Sequence, residues 1–227
     1  MFLATEETTD QKLEELALKE CIQTKAEQIL ALHFDLEEAM SFETFLDCFK
    51  QENARRKQML LQGEIVYGPR QYTLEQYYAY TNNNRRTALC REILRRGMVG
   101  EEEIIRFYEA FKESLYKRPD TYQLQIHQVD KETKQEAVKE IEINPENIRV
   151  YAKQYPKLIQ NLKVIQEGEQ IKLQDSKGQV YVIHCQRKIA NGYFKQAEVK
   201  DNIKDRLARS KRDHLVEEII KEINNGH

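Results

Sequence analysis

Apolar residues recur at helical spacing through the first part of the chain. Between residues 9 and 32 they fall three or four positions apart, which predicts one amphipathic helix over that range. Phenylalanine and leucine residues at positions 42, 45, 46 and 49 mark a second helix, which continues to about residue 61 and ends before Gly63. The N-terminal part is therefore expected to be helical.

Two more helices follow. Thr73 and Gln76 have the spacing of a capping box and start the third predicted helix. Gly97 and Gly100 end it, because glycine is a poor helix former. A fourth helix is predicted over residues 101–115, where glutamates in the first turn interact favourably with the helix dipole.

The next part of the chain has the pattern of strands. Residues 122–129 alternate apolar with polar side chains, as a half-buried strand does. Two further strands are predicted over residues 170–174 and 179–186, joined by a hairpin turn at residues 175–178. The fold class predicted from all these elements is α+β, mostly helical, with a small antiparallel sheet and a long C-terminal helix.

Between the first two predicted strands lie a charged segment, which extends to Ile143, and one short helix. Asn144-Pro145-Glu146 has the form of a helix start, with asparagine as the cap and proline at the first helical position. This helix is expected to end near Tyr155-Pro156.

A long helix is predicted over residues 195–224. It carries two apolar stripes, one formed by Val199, Ile203 and Leu207 and the other by Leu215, Ile219 and Ile223. The charged residues 209–213 separate the stripes. The first half of the helix is expected to pack on the sheet and the second half on the N-terminal helices.

Charge gives no indication of a nucleic-acid partner. The 227 residues include 36 Lys and Arg against 38 Asp and Glu, a net charge of −2. The arginine pairs at 55–56, 85–86 and 95–96 stand beside glutamates at helical spacing, so solvated helix faces explain them. Nucleic acid is therefore not expected as a partner.

Cysteines and histidines do not form a metal-binding pattern. Cys21, Cys48, Cys90 and Cys185 contain no C-x-x-C pair, and we interpret them as small buried apolar groups. His33, His214 and His227 have no partner at ligand spacing, and His184 is interpreted as a structural histidine near the helices. No metal or other cofactor is expected.

No apolar run is long enough to cross a bilayer, so this chain is not expected to insert directly into a membrane. The first residues, Met1-Phe-Leu-Ala, lack the basic start of a signal peptide. Taken alone, these features favour a cytoplasmic protein.

The order of four short motifs in the last third resembles the parvulin prolyl-isomerase domain of the SurA and PrsA foldases and chaperones. In that family an L-K-x-G-E turn precedes a strand, a hairpin, a G-Y-H-I-I strand and an E-V-K-D-x-I helix. The matching residues here are Leu162-Lys163, Gly168-Glu169, Tyr181-Val182-Ile183 and Glu198-Val199-Lys200-Asp201-Asn202-Ile203.

A second part of the chain, in residues 52–57, 63–69 and 72–80, resembles the helical N-terminal domain of the same family. The resemblance implies a SurA-like helical domain over residues 1–118, a reduced parvulin-like α/β module over 119–194, and a C-terminal helix over 195–227 that packs back on the helical domain. The turn at Lys117-Arg-Pro119-Asp120 is interpreted as the junction.

Compared with the family, the parvulin-like module lacks parts of the isomerase site. The family places two histidines on adjacent strands beside an apolar proline pocket, whereas here its last-strand histidine falls on Tyr181. The interval 129–162 is short, polar and without glycine, where the family has the walls of the pocket. His127 can be matched to the first-strand histidine, so His127 and Tyr181 are candidates for a vestigial pocket. Because His127 shares a strand face with Gln123 and Gln125, a solvent-facing position is favoured, and no catalytic residue is expected.

Tyrosines are concentrated between residues 67 and 80. Tyr67, Tyr72 and Tyr78 are candidates for a client-binding groove, because tyrosine offers a large amphipathic contact area. Tyr77 and Tyr80 lie one helical turn apart and are expected in the core. Core positions are also expected for Phe107, Tyr108 and Phe111.

The resemblance implies a chaperone-like protein that binds unfolded or extended polypeptides and has no isomerase activity. Two alternatives stay open: an active parvulin-type peptidyl-prolyl isomerase, and a scaffolding protein with one fixed partner. The family also implies an extracytoplasmic location, with a signal or anchor segment lying outside this sequence, whereas a complete chain would be a cytoplasmic relative.

Overall fold

A computed structural model describes residues 9–38, 40–129, 136–162, 164–174 and 180–225. The chain divides into two compact units: unit 1 is Met1–Ile104 with Asp201–His227, and unit 2 is Ile105–Lys200. The predicted hairpin turn at 175–178, the first four residues, Lys163 and His227 lie outside the described residues.

The described residues form helices and strands in the following order: α1 (Thr9–His33), α2 (Phe42–Leu61), α3 (Leu74–Arg95), α4 (Glu101–Leu115), β1 (Thr121–Val129), β2 (Glu136–Ile143), α5 (Ile148–Gln154), α6 (Pro156–Asn161), β3 (Gln170–Gln174), β4 (Val180–Ile189) and α7 (Gln196–Asn225). The mixed fold class, mostly helical with a small antiparallel sheet, is confirmed.

Caps and tight turns set the helix boundaries in unit 1. Ser41 Oγ accepts a hydrogen bond from Thr44 N at the start of α2, and Thr73 and Gln76 form the predicted capping box at the start of α3. Gly63 and Gly97 follow α2 and α3 with φ of 74° and 66°, a conformation that costs glycine no Cβ strain. The ranges predicted for α1, α2 and α4 are confirmed to within a residue.

Ion pairs also fix the C-terminal end of α3. Glu92 accepts hydrogen bonds from the Nε atoms of Arg95 and Arg96, each at 2.7 Å. These bonds lower the pKa of Glu92 from its usual value near 4.5 to about 2. The Arg96 guanidinium carbon lies 4.4 Å from the ring centroid of Phe34, so the network joins α3 to the residues that follow α1.

The core of unit 1 joins α1, α3 and the second half of α7. Its buried side chains are Ala26, Leu30, Ala31, Leu89, Val216 and Ile219. Leu215 and Ile223 are only partly buried beside this core. Val216 is therefore a more deeply buried contact of α7 than either of these two predicted stripe residues.

The first half of α1 differs from the prediction of an amphipathic helix buried along one side. Leu13 and Leu16 are 66% and 62% exposed, and Cys21 is exposed as well. Burial in the core begins only at Thr24. The helical period of the apolar residues predicts α1 correctly, but it does not show which part of the helix packs against other helices.

Unit 2 contains an antiparallel sheet with strand order β2-β1-β4-β3. Tyr122, Leu124 and Ile126 of β1 face its core, which continues through Ile183 and Cys185 of β4. Side chains of α5, α6 and the residues after α6 cover this face, among them Tyr151, Leu158, Leu162 and Ile165. The predicted alternation of β1 is confirmed by its buried and half-buried positions.

Strand β2 corrects the sequence analysis, which interpreted residues up to Ile143 as a charged segment. Ile141 and Ile143 are buried and alternate with the exposed Glu140 and Glu142. The strand lies at the edge of the sheet, where charged side chains on the outer face are common. The alternation of apolar and charged residues in β2 is therefore that of a strand, although its many charged residues were interpreted as a charged segment.

The helices of unit 2 also differ from the prediction. Asn144 Oδ1 accepts hydrogen bonds from the backbone nitrogens of Glu146 and Asn147, so Asn144 closes a turn instead of capping the helix. Helix α5 accordingly begins later, at Ile148. Pro156 starts the separate helix α6, because proline is accommodated in a first helical turn.

The part of α4 in unit 2 carries an exposed aromatic residue. Phe111, expected in the core, is 44% exposed, although its ring lies 4.6 Å from that of Phe107. Tyr108 is half-buried and donates a hydrogen bond to the Phe194 carbonyl at 2.7 Å. Phe111 therefore lies on the solvent side of the helix.

Candidate functional site

A groove opens in unit 1 between the α1–α2 connection, the start of α2 and the first half of α3. Its volume is about 520 Å³. The apolar side chains that line it are Met40, Phe42, Phe45, Tyr77 and Tyr78, and the polar ones include Gln28, Ser41, Thr81, Asn82 and Asn84. Met40 is 48% and Phe42 69% exposed, so the rim of the groove presents apolar surface to solvent.

A second cavity of about 330 Å³ adjoins the groove. It shares Gln28, Glu37 and Met40 with the first cavity and adds Lys25 and Leu32 from α1. Both cavities are lined by residues of the α1–α2 connection, so they border the same segment.

An aromatic cluster forms the floor of the groove and continues behind it. We define it as Phe42, Phe45, Phe49, Tyr72, Tyr77, Tyr78 and Tyr80. Tyr77 lies at its centre, with ring centroids of Phe45 and Phe49 at 5.4 and 5.6 Å. Burial raises the pKa of the Tyr77 hydroxyl. The ring contacts of the cluster hold α2 against α3.

Polar contacts attach the α1–α2 connection to α3. The Arg85 side chain is 8% exposed, and its Nε lies 2.8 Å from Glu37 Oε2. Arg85 Nη1 donates a second hydrogen bond to Asn82 Oδ1 at 2.6 Å. The hydroxyls of Tyr78 and Thr24 are 2.9 Å apart. These bonds join α3 to the α1–α2 connection and to α1.

Arg56 holds the loop between α2 and α3. Its side chain is 6% exposed, and its Nε lies 2.8 Å from Glu52. Nη1 donates to the carbonyls of Tyr67 and Pro69 at 3.0 and 2.7 Å, and Nη2 donates to the Tyr72 hydroxyl at 3.0 Å. The loop therefore has a fixed backbone path, although it contains no regular secondary structure.

The three tyrosines predicted to bind clients lie in different environments. Tyr67 is 83% exposed on the loop, and Tyr78 is 36% exposed in the groove. Tyr72 is 7% exposed and bonded to Arg56, so it belongs to the anchor of the loop instead of the groove surface. Tyr80, expected in the core, is 41% exposed because it stacks on Tyr72 from outside. The core position of Tyr77 is confirmed.

The two candidates for a vestigial pocket lie on opposite faces of the sheet. Tyr181 belongs to the face covered by α5 and α6, with its ring 6.0 Å from that of Tyr155. His127 is on the other face, 3.1 Å from Gln125 Oε1. His184 pairs with Gln125, so it lies on the His127 face and not on the face that α5 and α6 cover. His127 and Tyr181 therefore do not form one pocket.

Met40, Phe42 and Phe45 line the groove but were not predicted to do so from the sequence. Phe42 and Phe45 were interpreted only as part of a helical stripe. The sequence did contain one signal for Phe42 and Phe45, which is their position in the first turn of α2 after the Ser41 cap. A first-turn side chain has no preceding helical turn beside it, so it is more open to contact from outside the helix. Met40, on a non-helical segment, gives no periodic signal.

Within the described ranges, no group of three or more His, Cys, Asp or Glu side chains could hold a metal ion. No helix in this part of the chain combines the length and the apolar character needed to span a membrane. The four cysteines are unpaired, and burial raises the pKa of the Cys185 thiol.

Several solved structures match the chain over most of its length. Two come from work on the virulence factor PEB4 and the periplasmic protein Cj1289, described as SurA-like chaperones of Campylobacter jejuni. One is 13% identical over 93% of this chain and 86% of its own, with a TM-score of 0.33. The other is 11% identical over 90% of this chain and 93% of its own, with a TM-score of 0.32.

The foldase protein PrsA of Streptococcus pneumoniae is 10% identical, covers 100% of this chain and 93% of its own, and has a TM-score of 0.30. The chain is similar to SurA-like chaperones and PrsA foldases. No protein-family model matches it, and no curated protein matches it.

Proposed function

We propose that unit 1 binds unfolded or extended polypeptide segments in its aromatic-lined groove, as a chaperone does, and that the protein has no isomerase activity. The observation that carries this proposal is the exposed apolar rim formed by Met40 and Phe42 above a floor of tyrosine and phenylalanine rings. Exposed apolar surface of this kind is typical of sites that bind other molecules.

The residue types in the groove suit clients of varied sequence. Methionine adapts its shape to different partners, and aromatic rings offer contact area at a small entropic cost. Asn82 and Asn84 provide amide groups that can bond a peptide backbone whatever its side chains. These features favour broad recognition over one fixed partner, which is the scaffolding alternative.

Binding to a permanently unfolded, alkylated protein carrying a fluorescent label tests the proposal by anisotropy. Phe42→Ala should weaken binding by about tenfold or more, because burial of one phenylalanine contributes about 1.5–3 kcal/mol. Phe111→Ala is the matched control, since this ring is also exposed but belongs to unit 2. Equal affinity of the two variants would exclude the groove as the client site. Binding confined to one of several unrelated clients would favour a scaffold.

Isomerase activity is the second candidate, because His127 and His184 lie on one face of adjacent strands. The same face, however, carries Glu140, Glu142 and Lys172 as exposed side chains. Isomerisation is helped by a desolvated environment around the twisted amide, and a solvent-exposed face does not supply one. We therefore propose polypeptide binding without catalysis.

The proposal also includes a cellular setting. The family resemblance supports an extracytoplasmic location, and the near balance of charges supports polypeptide instead of nucleic acid as the partner. Both statements are open to direct test by fractionation of tagged cells and by a filter-binding assay with labelled oligonucleotides.

A further inference from the structure

A separate cavity of unit 1, of about 500 Å³, lies between α3 and α7. We call it the arginine cleft and define it by Arg86, Arg91, Arg209 and Arg212 together with Asn83 and Thr87, which also line it. None of these residues lines the aromatic groove. The cleft therefore requires its own explanation.

Among the described residues, the guanidinium group of Arg86 is held through its Nε atom only. Its Nε donates to both carboxylate oxygens of Glu27, each at 2.9 Å. Glu27 is 2% exposed in the core of the unit, so it fixes the position of the guanidinium from below. Among the described residues the two Nη atoms of Arg86 have no acceptor, and four N–H donors stay available for a ligand.

The other arginines complete a positive lining. Arg212 is 15% exposed and bonded to Asp213 at 2.6 Å and to Cys90 Sγ at 3.7 Å, which orders its side chain. Arg91 and Arg209 are exposed at the mouth of the cleft and have no acceptor among the described residues. Two fixed and two free guanidinium groups thus converge on one cavity.

Guanidinium groups bind planar oxyanions, and carboxylates fit their paired N–H donors. Asp205 lines the same cleft, and Glu27 and Asp213 lie beside it, so nearby negative charge would repel a densely charged phosphate chain. Isolated carboxylates separated by neutral residues avoid this repulsion. The cavity also has room for a few side chains only.

We propose that the arginine cleft binds the carboxylates of an acidic polypeptide segment. The inference rests on the proposed function only in taking polypeptide as the ligand, and the site is distinct from the groove. A client with an acidic segment could then be held at two places on unit 1, which would raise its affinity above that of either contact alone.

The test uses three labelled probes with the full chain: a short peptide whose Asp and Glu residues are separated by neutral residues, the same peptide with Asn and Gln in their place, and a single-stranded oligonucleotide. The acidic peptide should bind, its affinity should fall as salt rises, and the neutral peptide should not bind. Absence of acidic-peptide binding, or tighter binding of the oligonucleotide, would overturn the proposal.

Variants locate the site. The double substitution Arg91→Gln with Arg209→Gln should weaken acidic-peptide binding by about tenfold or more without loss of folding, because both side chains are exposed. Control substitutions Arg206→Gln with Arg106→Gln remove the same charge from exposed positions outside the cleft. Equal loss in both double variants would show a general charge effect and refute the site.

Phe42→Ala separates this inference from the proposed function. It should leave acidic-peptide binding unchanged, since Phe42 does not line the cleft. If Phe42→Ala instead abolished acidic-peptide binding, the peptide would be in the groove and the arginine cleft would not be its site.

Discussion

Replacement of Arg56 by methionine tests whether one buried guanidinium holds the loop that presents Tyr67. Methionine keeps most of the aliphatic volume and has good helix propensity, so the change removes mainly charge and donors. Three acceptors would lose their donor: the carbonyls of Tyr67 and Pro69 and the Tyr72 hydroxyl. Glu52, 18% exposed, would lose one of its two arginine partners.

Hydrogen bonds from a charged donor contribute about 1.5–3 kcal/mol each, and removal of one member of a buried ion pair costs about 3–5 kcal/mol. These contributions overlap at a single side chain, so we expect a loss of about 3–5 kcal/mol in the free energy of unfolding of unit 1. With an m value of about 2 kcal/mol per M, the urea midpoint should fall by about 1.5–2.5 M.

Arg55→Met is the matched control. Arg55 immediately precedes Arg56 in α2 and also bonds Glu52, but its side chain is 57% exposed. Its hydrogen bond is the largest cause of the lowered pKa of Glu52, yet ion pairs of exposed side chains contribute little to stability. The control variant should therefore unfold close to the wild type.

Unfolding is best followed by near-ultraviolet circular dichroism, because the chain contains 12 tyrosines and no tryptophan. Limited proteolysis of the loop between residues 62 and 73 gives a local measurement. Arg56→Met should accelerate cleavage there and Arg55→Met should not. Similar urea midpoints for the two variants, or an unchanged cleavage rate, would refute the role assigned to Arg56.

Three further predictions follow from exposure, charge and packing. Tyr67→Ala should change the free energy of unfolding by less than about 0.5 kcal/mol, whereas Tyr72→Ala should lower it by about 3–5 kcal/mol. Equal urea midpoints for the two variants would contradict the exposed position of Tyr67 and the buried position of Tyr72. The folded pKa of Glu92 is depressed to about 2, so the stability that this side chain adds is present above about pH 4.5 and disappears as the pH falls towards 2. In Glu92→Gln the melting temperature should therefore change less across this pH range than in the wild type. Parallel curves of melting temperature against pH for the two proteins would contradict this prediction. Deletion after Ser210 removes the buried Val216 and Ile219, each worth about 1.5–3 kcal/mol, so unit 1 should lose cooperative unfolding, and an unchanged melting temperature would show that α7 is dispensable.

Local sequence patterns predicted where most helices and strands lie, but they predicted less well which residues of those elements are buried. The capping box at Thr73 and Gln76 and the positive-φ position of Gly63 are properties of a few adjacent residues, so the sequence could specify them. Strand β2 was missed because Glu140 and Glu142 interrupt its apolar residues, and its pairing with β1 and the burial of Ile141 and Ile143 depend on residues elsewhere in the chain. The exposure of Leu13 was not predictable, since the period of a helix does not reveal where its neighbours end.

The candidate site was only partly predictable for a related reason. Tyr78 was identified from the tyrosine-rich stretch, and it does line the groove. Tyr72 has the same residue type, but the side chain of Arg56, 16 positions away, determines its burial. Met40 and Phe42 acquire their place in the groove from the α1–α2 connection, a non-periodic segment. Such long-range contacts leave no local signal.

We propose that the protein binds unfolded polypeptide without catalysing prolyl isomerisation. The most direct measurement follows, in one preparation, the aggregation of an unfolded client and the cis-to-trans isomerisation of a proline-containing peptide. We predict suppressed aggregation and isomerisation at its uncatalysed rate, over tens to hundreds of seconds at 25 °C. Accelerated isomerisation that disappears in His127→Ala, or unchanged client aggregation, would contradict the claim.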